Sequence, residues 1–130
     1  MDMKKWIIED MCDRLDNWEG NRLYIGDLAS YIYQSPMADG SILYNTFETR
    51  EWIGKYMNDI ADAIEDYDLT EFMDFSLAFT NPEAFHVGLV TYLARDYIFY
   101  SEWVREHEDE EVELTEEIIE TIKRELLEAI

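Results

Sequence analysis

Carboxylates dominate the chemistry open to this sequence. Asp59, Asp62, Glu65, Asp66 and Asp68 lie between Lys55 and Arg95, an interval without a single lysine or arginine that also holds Glu71, Asp74 and Glu83. A second run contains Glu106, Glu108, Asp109, Glu110, Glu111, Glu113, Glu116, Glu117 and Glu120, so nine carboxylates occupy fifteen positions, again without a lysine or arginine. Such groups attract cations and basic surfaces and repel anions. Asp59, Asp62 and Asp66 stand three and four apart, the spacing that sets side chains along one helix face. Like charges so placed each cost a few tenths of a kcal/mol, so helix stability does not account for them. Glu116 and Glu117 suit the positive end of a helix, whereas Glu106 and Glu108–Glu110 fall near the negative end of the preceding one.

Other reactive side chains are few. Glu83-Ala84-Phe85-His86 has the Glu-x-x-His spacing of di-iron bundles, but those sites need a second copy, and the other histidine, His107, has Val104 three residues before it. A single match of this kind reads as a packed or surface histidine. Cys12 lies among Glu9, Asp10 and Asp13, whose charge raises a thiol pKa and does not activate it. Nucleophile elbow, phosphate-binding glycine loop and His-Glu-x-x-His are all missing from the sequence. The acidic run has no glycine-turned loop of the calcium-binding kind. The sequence therefore predicts no catalytic residue, no metal site and no cofactor.

The elements that must carry these carboxylates are helical. Of 130 residues, 48% are hydrophobic and 15% aromatic, enough for the core of a single domain spanning 1–130. One cysteine excludes an internal disulfide framework. Lys4 and Lys5 precede only Trp6, Ile7 and Ile8 before acids intervene, too short for an export signal. No apolar run approaches the roughly 18 residues of a membrane span. These features predict a cytoplasmic protein.

Ile7, Met11, Leu15 and Trp18, with Ile8 and Cys12, predict a first helix over about 3–18, stopped by Gly20. A shorter helix within 25–34 turns Leu28, Ile32 and one or more of Tyr24, Tyr31 and Tyr33 inward, and Ser35-Pro36 closes it. Ala38-Asp39-Gly40-Ser41 reads as a turn, and Ile42-Leu43-Tyr44 as an extended piece or one helical turn. Asn45 or Thr46 caps a third helix to about 66, with Ile53, Tyr56, Met57, Ile60 and Ile64 inward beside Trp52. Residues 69–79 are apolar with mixed period. Asn81-Pro82-Glu83 is the clearest helix start, opening a central apolar helix near 82–106 that carries Phe85, Leu89, Tyr92, Leu93, Tyr97, Tyr100 and Val104. After an acidic linker, Thr115 caps a last helix burying Ile118, Ile119, Ile122, Leu126 and Ile130. No alternating strand stands out, so the expectation is an all-α compact bundle of about five helices.

Charge is the one loud functional signal. The net formal charge is −21, from 31 acidic and 10 basic residues. Residues 1–55 carry −4 of it and residues 56–130 carry −17. A small domain needs only about 2–8 units for solubility. A solvated face is the plain reading of any charge run, but such faces normally mix signs. The sharper reading is mimicry of nucleic acid. One strand of B-DNA advances ~3.4 Å per phosphate, and helical carboxylates three or four apart repeat every ~4.5–6 Å. Rows of this kind fit the basic groove of a DNA- or RNA-binding protein.

The segments Ala38-Asp39-Gly40-Ser41 and Tyr44-Asn45-Thr46, then Glu51-Trp52-Ile53 and Asn81-Pro82-Glu83-Ala84-Phe85, resemble a mostly uncharacterised family of small acidic proteins from phages and mobile elements of Gram-positive bacteria. The resemblance covers roughly residues 20 to 127 and rests on a turn and two helix starts. It implies a genetic context shared with counter-defence genes and carries over no functional residue. The charge alone is also similar to that of DNA-mimicking antirestriction proteins and acidic anti-CRISPR proteins.

Together these features predict a stoichiometric, non-enzymatic inhibitor that blocks a basic nucleic-acid-binding protein, a CRISPR nuclease or a restriction enzyme. It would use the carboxylates at 59–68 and 106–117 and bind neither nucleic acid nor membrane directly. The competing reading is an antitoxin or adaptor docking through an apolar helix face anchored by Trp18, Trp52 or Trp103. A homodimer is a third.

Overall fold

A computed structural model describes residues 2–18, 22–34, 46–68 and 80–130. Seven α-helices and one two-stranded sheet form among them: α1 (Met3–Asp16), β1 (Arg22–Tyr24), α2 (Leu28–Gln34), α3 (Thr46–Lys55), α4 (Met57–Asp66), α5 (Pro82–Tyr97), α6 (Glu102–Glu106), β2 (Glu111–Glu113) and α7 (Glu116–Glu128). Single 3-10 turns, Ile25–Asp27 and Ile98–Tyr100, precede α2 and follow α5. The all-α class holds. No described helix is long and apolar enough to cross a membrane.

The chain divides into two compact units, one of Met1–Met3 with Ser35–Val90, the other of Lys4–Gln34 with Thr91–Ile130. In the first, α4 buries Ile60, Ala63 and Ile64 on one stripe. The Trp52 indole, itself buried, stacks on His86 at 4.0 Å and tilts against Tyr56 at 5.2 Å. Asn81 and Pro82 start α5 as the sequence predicts, the Asn81 Oδ1 accepting from the Ala84 N–H at 3.3 Å.

In the second unit, Ile7, Ile8, Met11, Cys12 and Leu15 form the buried stripe of α1. Ile122 and Leu126 do the same on α7, each fully buried side chain contributing about 1.5–3 kcal/mol. Tyr33 is buried, and its hydroxyl donates to Asp10 Oδ2 at 2.7 Å while the Arg14 guanidinium lies 4.8 Å from its ring centroid. Arg14 closes the triangle, donating to the same carboxylate at 2.9 Å. An arginine held on a carboxylate and an aromatic face at once is fixed in both plane and position.

Several boundaries differ from expectation. The helix predicted to 18 stops at Asp16. The helix predicted over 46–66 is broken at Tyr56 (φ −107°, ψ 20°), although Tyr56 and Ile60 still donate backward to Trp52 and Tyr56. The central helix predicted to 106 ends at Tyr97 and passes through the Ile98–Tyr100 3-10 turn to Ser101, whose backbone is extended (ψ 122°) and whose side-chain oxygen starts α6 by accepting from the Val104 N–H. A hydroxyl able to cap competes with helix continuation, and here it wins. Met57, Tyr92 and Ile130, expected inside, are exposed; Ile118 and Ile119 are half-buried.

The acidic linker is not a linker. Its centre is β2, paired antiparallel with β1 in the register Arg22↔Glu113, Leu23↔Val112 and Tyr24↔Glu111. This sheet corrects the expectation of no strand. The expected features at Gly20, at Ser35-Pro36, at 38–45 and at 69–79 lie outside the described residues.

Candidate functional site

The run from Glu106 to Glu117 is held by its backbone and presents its carboxylates outward. His107 ends α6, its N–H bonding back to the Trp103 and Val104 carbonyls at 3.2 and 3.3 Å. Its ring stacks on the Trp103 indole at 4.1 Å and 15°, with Nδ1 2.7 Å from the Trp103 carbonyl. That contact places the Nδ1 proton on the carbonyl and turns Nε2 toward Glu110, 3.9 Å from its Oε2. The Glu110 N–H then closes a turn onto the His107 carbonyl at 2.9 Å.

Two donors from the opposite strand end fix the turn. Gly26 N–H reaches the Glu108 carbonyl at 2.9 Å, and Ile25 N–H reaches the Glu110 carbonyl at 3.0 Å. A side chain at 26 would put its Cβ 2.9 Å from the same Glu108 oxygen, so glycine alone permits this approach. Beyond the turn, β2 continues the ladder, Leu114 is buried, and Thr115 Oγ1 caps α7 by accepting from the Ile118 N–H at 3.3 Å. Alternate carbonyls therefore face the fold while the carboxylates face water. Glu106, Glu108, Asp109, Glu110, Glu111, Glu113, Glu116 and Glu117 are all exposed. Among the described residues the ion pair on this run is Arg22–Glu111, at 3.5 Å.

The carboxylates at 59–68 lie in the other unit and are more mixed in role. Asp62, Glu65, Asp66 and Asp68 are exposed. Asp59 is half-buried, and its Oδ2 accepts the Met3 N–H at 2.9 Å, satisfying one of the orphan donors at the start of α1. Asp68 sits at φ 51°, the left-handed conformation that ends many helices and that aspartate tolerates better than most residues. Asp59 and Asp68 thus serve the fold directly.

The remaining reactive groups are spoken for. Cys12 is buried, and burial first, then Asp13, Asp16 and Glu9, push its thiol up to about 11 against the opposing pull of Lys123. Such a thiol is a packing group and not a nucleophile. His86 is fully buried against Trp52. Among the described residues no three of histidine, cysteine, aspartate and glutamate gather as a metal site. Of the tryptophans that could anchor an apolar contact, Trp52 is buried, while Trp18 and Trp103 are half-buried.

What sequence reasoning missed is the partner of the acidic run, Arg22 to Gly26. A glycine beside a short Arg-Leu-Tyr alternation was the available signal. No protein-family model, no curated protein and no solved structure matches the chain.

Proposed function

We propose that this protein captures a basic nucleic-acid-binding protein stoichiometrically, occupying its groove as a mimic of the phosphate backbone. A defence nuclease, of CRISPR or restriction type, is the target expected from the resemblance to phage and mobile-element proteins. The observation that carries the reading is the exposed run 106–117, in which eight of twelve positions are carboxylates anchored through their backbone. A flexible acidic tail loses entropy when it docks; carboxylates already fixed by a ladder and a helix cap lose little. Charges fixed in this way release counterions from a basic groove as a duplex would, so capture fades steeply with salt.

The test pairs capture with inhibition. Purified protein immobilised in host lysate should retain a basic nuclease at low salt, release it at high salt, and inhibit its cleavage at equimolar ratio. Lysine at Glu106, Glu108, Asp109 and Glu113 should weaken inhibition at least tenfold with helical content unchanged. A partner that resists salt, or a lysine variant that inhibits equally well, would remove the acidic run from the mechanism.

A further inference from the structure

One face of the β1–β2 sheet carries more than charge. The Ile25–Glu110 bond fixes the phase of the ladder, which makes Tyr24–Glu111 and Arg22–Glu113 non-hydrogen-bonded pairs, the kind whose side chains stand closest. Alternation puts Arg22, Tyr24, Glu111 and Glu113 on one face, and Leu23 and Val112 on the other. The first four are exposed, whereas Leu23 is buried and Val112 half-buried. Tyr24, at 54%, is the most exposed large apolar side chain among the described residues. A guanidinium already lies on this face. Arg22 Nη2 donates to the Glu111 carbonyl at 3.1 Å, and its Nε stands 3.5 Å from Glu111 Oε1. It reaches diagonally to Glu111, and Glu113 directly across from it joins none of the ion pairs among the described residues.

We infer that this face is an arginine-recognition surface, whose occupant is a guanidinium from an arginine-rich segment of the basic partner and whose internal stand-in is Arg22. The inference rests on the capture reading above and deepens it. A planar guanidinium takes two oxygens of a carboxylate strand at once and stacks on an aromatic ring, whereas an ammonium offers a point charge. Glu111 supplies a carboxylate and a carbonyl, Glu113 a second carboxylate, and Tyr24 the ring beside Glu111. Arg22 occupies the seat in the free protein. An incoming arginine replaces its contacts one for one, with the further gain of the Tyr24 face.

The experiment titrates the whole protein with oligoarginine and oligolysine of equal length at low salt. Oligoarginine should bind at least about threefold tighter, the scale of an exposed cation–π contact. Tyr24→Leu should bring the ratio toward one and leave oligolysine binding unchanged. Arg22→Lys, which keeps the net charge but vacates the forked seat, should strengthen oligoarginine binding more than oligolysine binding. A preference for arginine untouched by Tyr24→Leu, or an Arg22→Lys variant that binds oligoarginine more weakly, overturns the site. Equal binding of both peptides also overturns it and leaves capture of basic partners standing, whereas binding of neither overturns both. Unaltered circular dichroism of each variant separates these outcomes from misfolding.

Discussion

Gly26 and Glu108 are joined backbone to backbone, the glycine N–H on the glutamate carbonyl at 2.9 Å, with no room for a methyl group between them. Gly26→Ala must therefore lengthen that bond or push the acidic turn outward. Overpacking of this kind costs about 1–3 kcal/mol, and a urea titration should show it as a lower midpoint. The salt-sensitive capture should weaken with it, because the carboxylates of 106–111 lose their anchor. An unchanged midpoint would mean that the turn does not depend on this approach.

Glu108 and Asp109 point to solvent beyond the C-terminal end of α6, where negative charge opposes the helix dipole. Lysine at both positions should hold stability constant or raise it by a few tenths of a kcal/mol each, with the gain vanishing in high salt. A fall in stability would show that these carboxylates support the fold.

Ser101 and Glu125 form one joint. Glu125 Oε1 accepts from the Ser101 hydroxyl at 2.9 Å and from the Trp103 N–H at 3.0 Å, while Ser101 caps α6. Ser101→Ala should cost about 0.5–2 kcal/mol and Glu125→Ala about 1–3 kcal/mol. Because the two share a hydrogen bond, the double variant should lose less than the sum of the singles. Chemical denaturation of the four proteins reads this directly, and strict additivity would contradict the joint.

Lys123 hydrogen-bonds Asp16, and that bond first, with Glu120 beside it, raises its pKa above the ordinary 10.5. A group whose pKa is raised on folding contributes stability that is complete below its unfolded pKa and is lost as pH rises through the folded one. The contribution should thus be constant through neutral pH and disappear above 10.5. Lys123→Met should be less stable than the parent at pH 7, and the gap should close in strong alkali. Because the carboxylate partners are exposed, salt should narrow the gap as well.

Much of the fold was legible because helices advertise themselves. The α1 stripe of Ile7, Met11 and Leu15, the Asn81-Pro82 start and the Thr115 cap all rest on local rules that tertiary contacts did not override. Ser101 was legible only in part, since a serine between Tyr100 and Glu102 reads equally as helix interior or as cap. The sheet was not legible. Each strand has three residues, with a single inward position, Leu23 in one and Val112 in the other, and alternation over three residues is no signal. The pairing joins positions far apart in the chain, and the carboxylates of 106–113 concealed it, because charge density resembles a linker. For the candidate site, residue identity was readable from the sequence, and the anchoring that keeps those residues in place was not.

The burial of Cys12 gives the molecule an internal gauge. A thiol sealed into the inward face of α1 and held near pKa 11 is almost wholly protonated at neutral pH and out of reach of solvent. Alkylating reagents can find it only in the moments when that face opens, so the labelling rate tracks how much of the time that face stands open. A bound partner that steadies the second unit would slow the labelling without touching the sulfur.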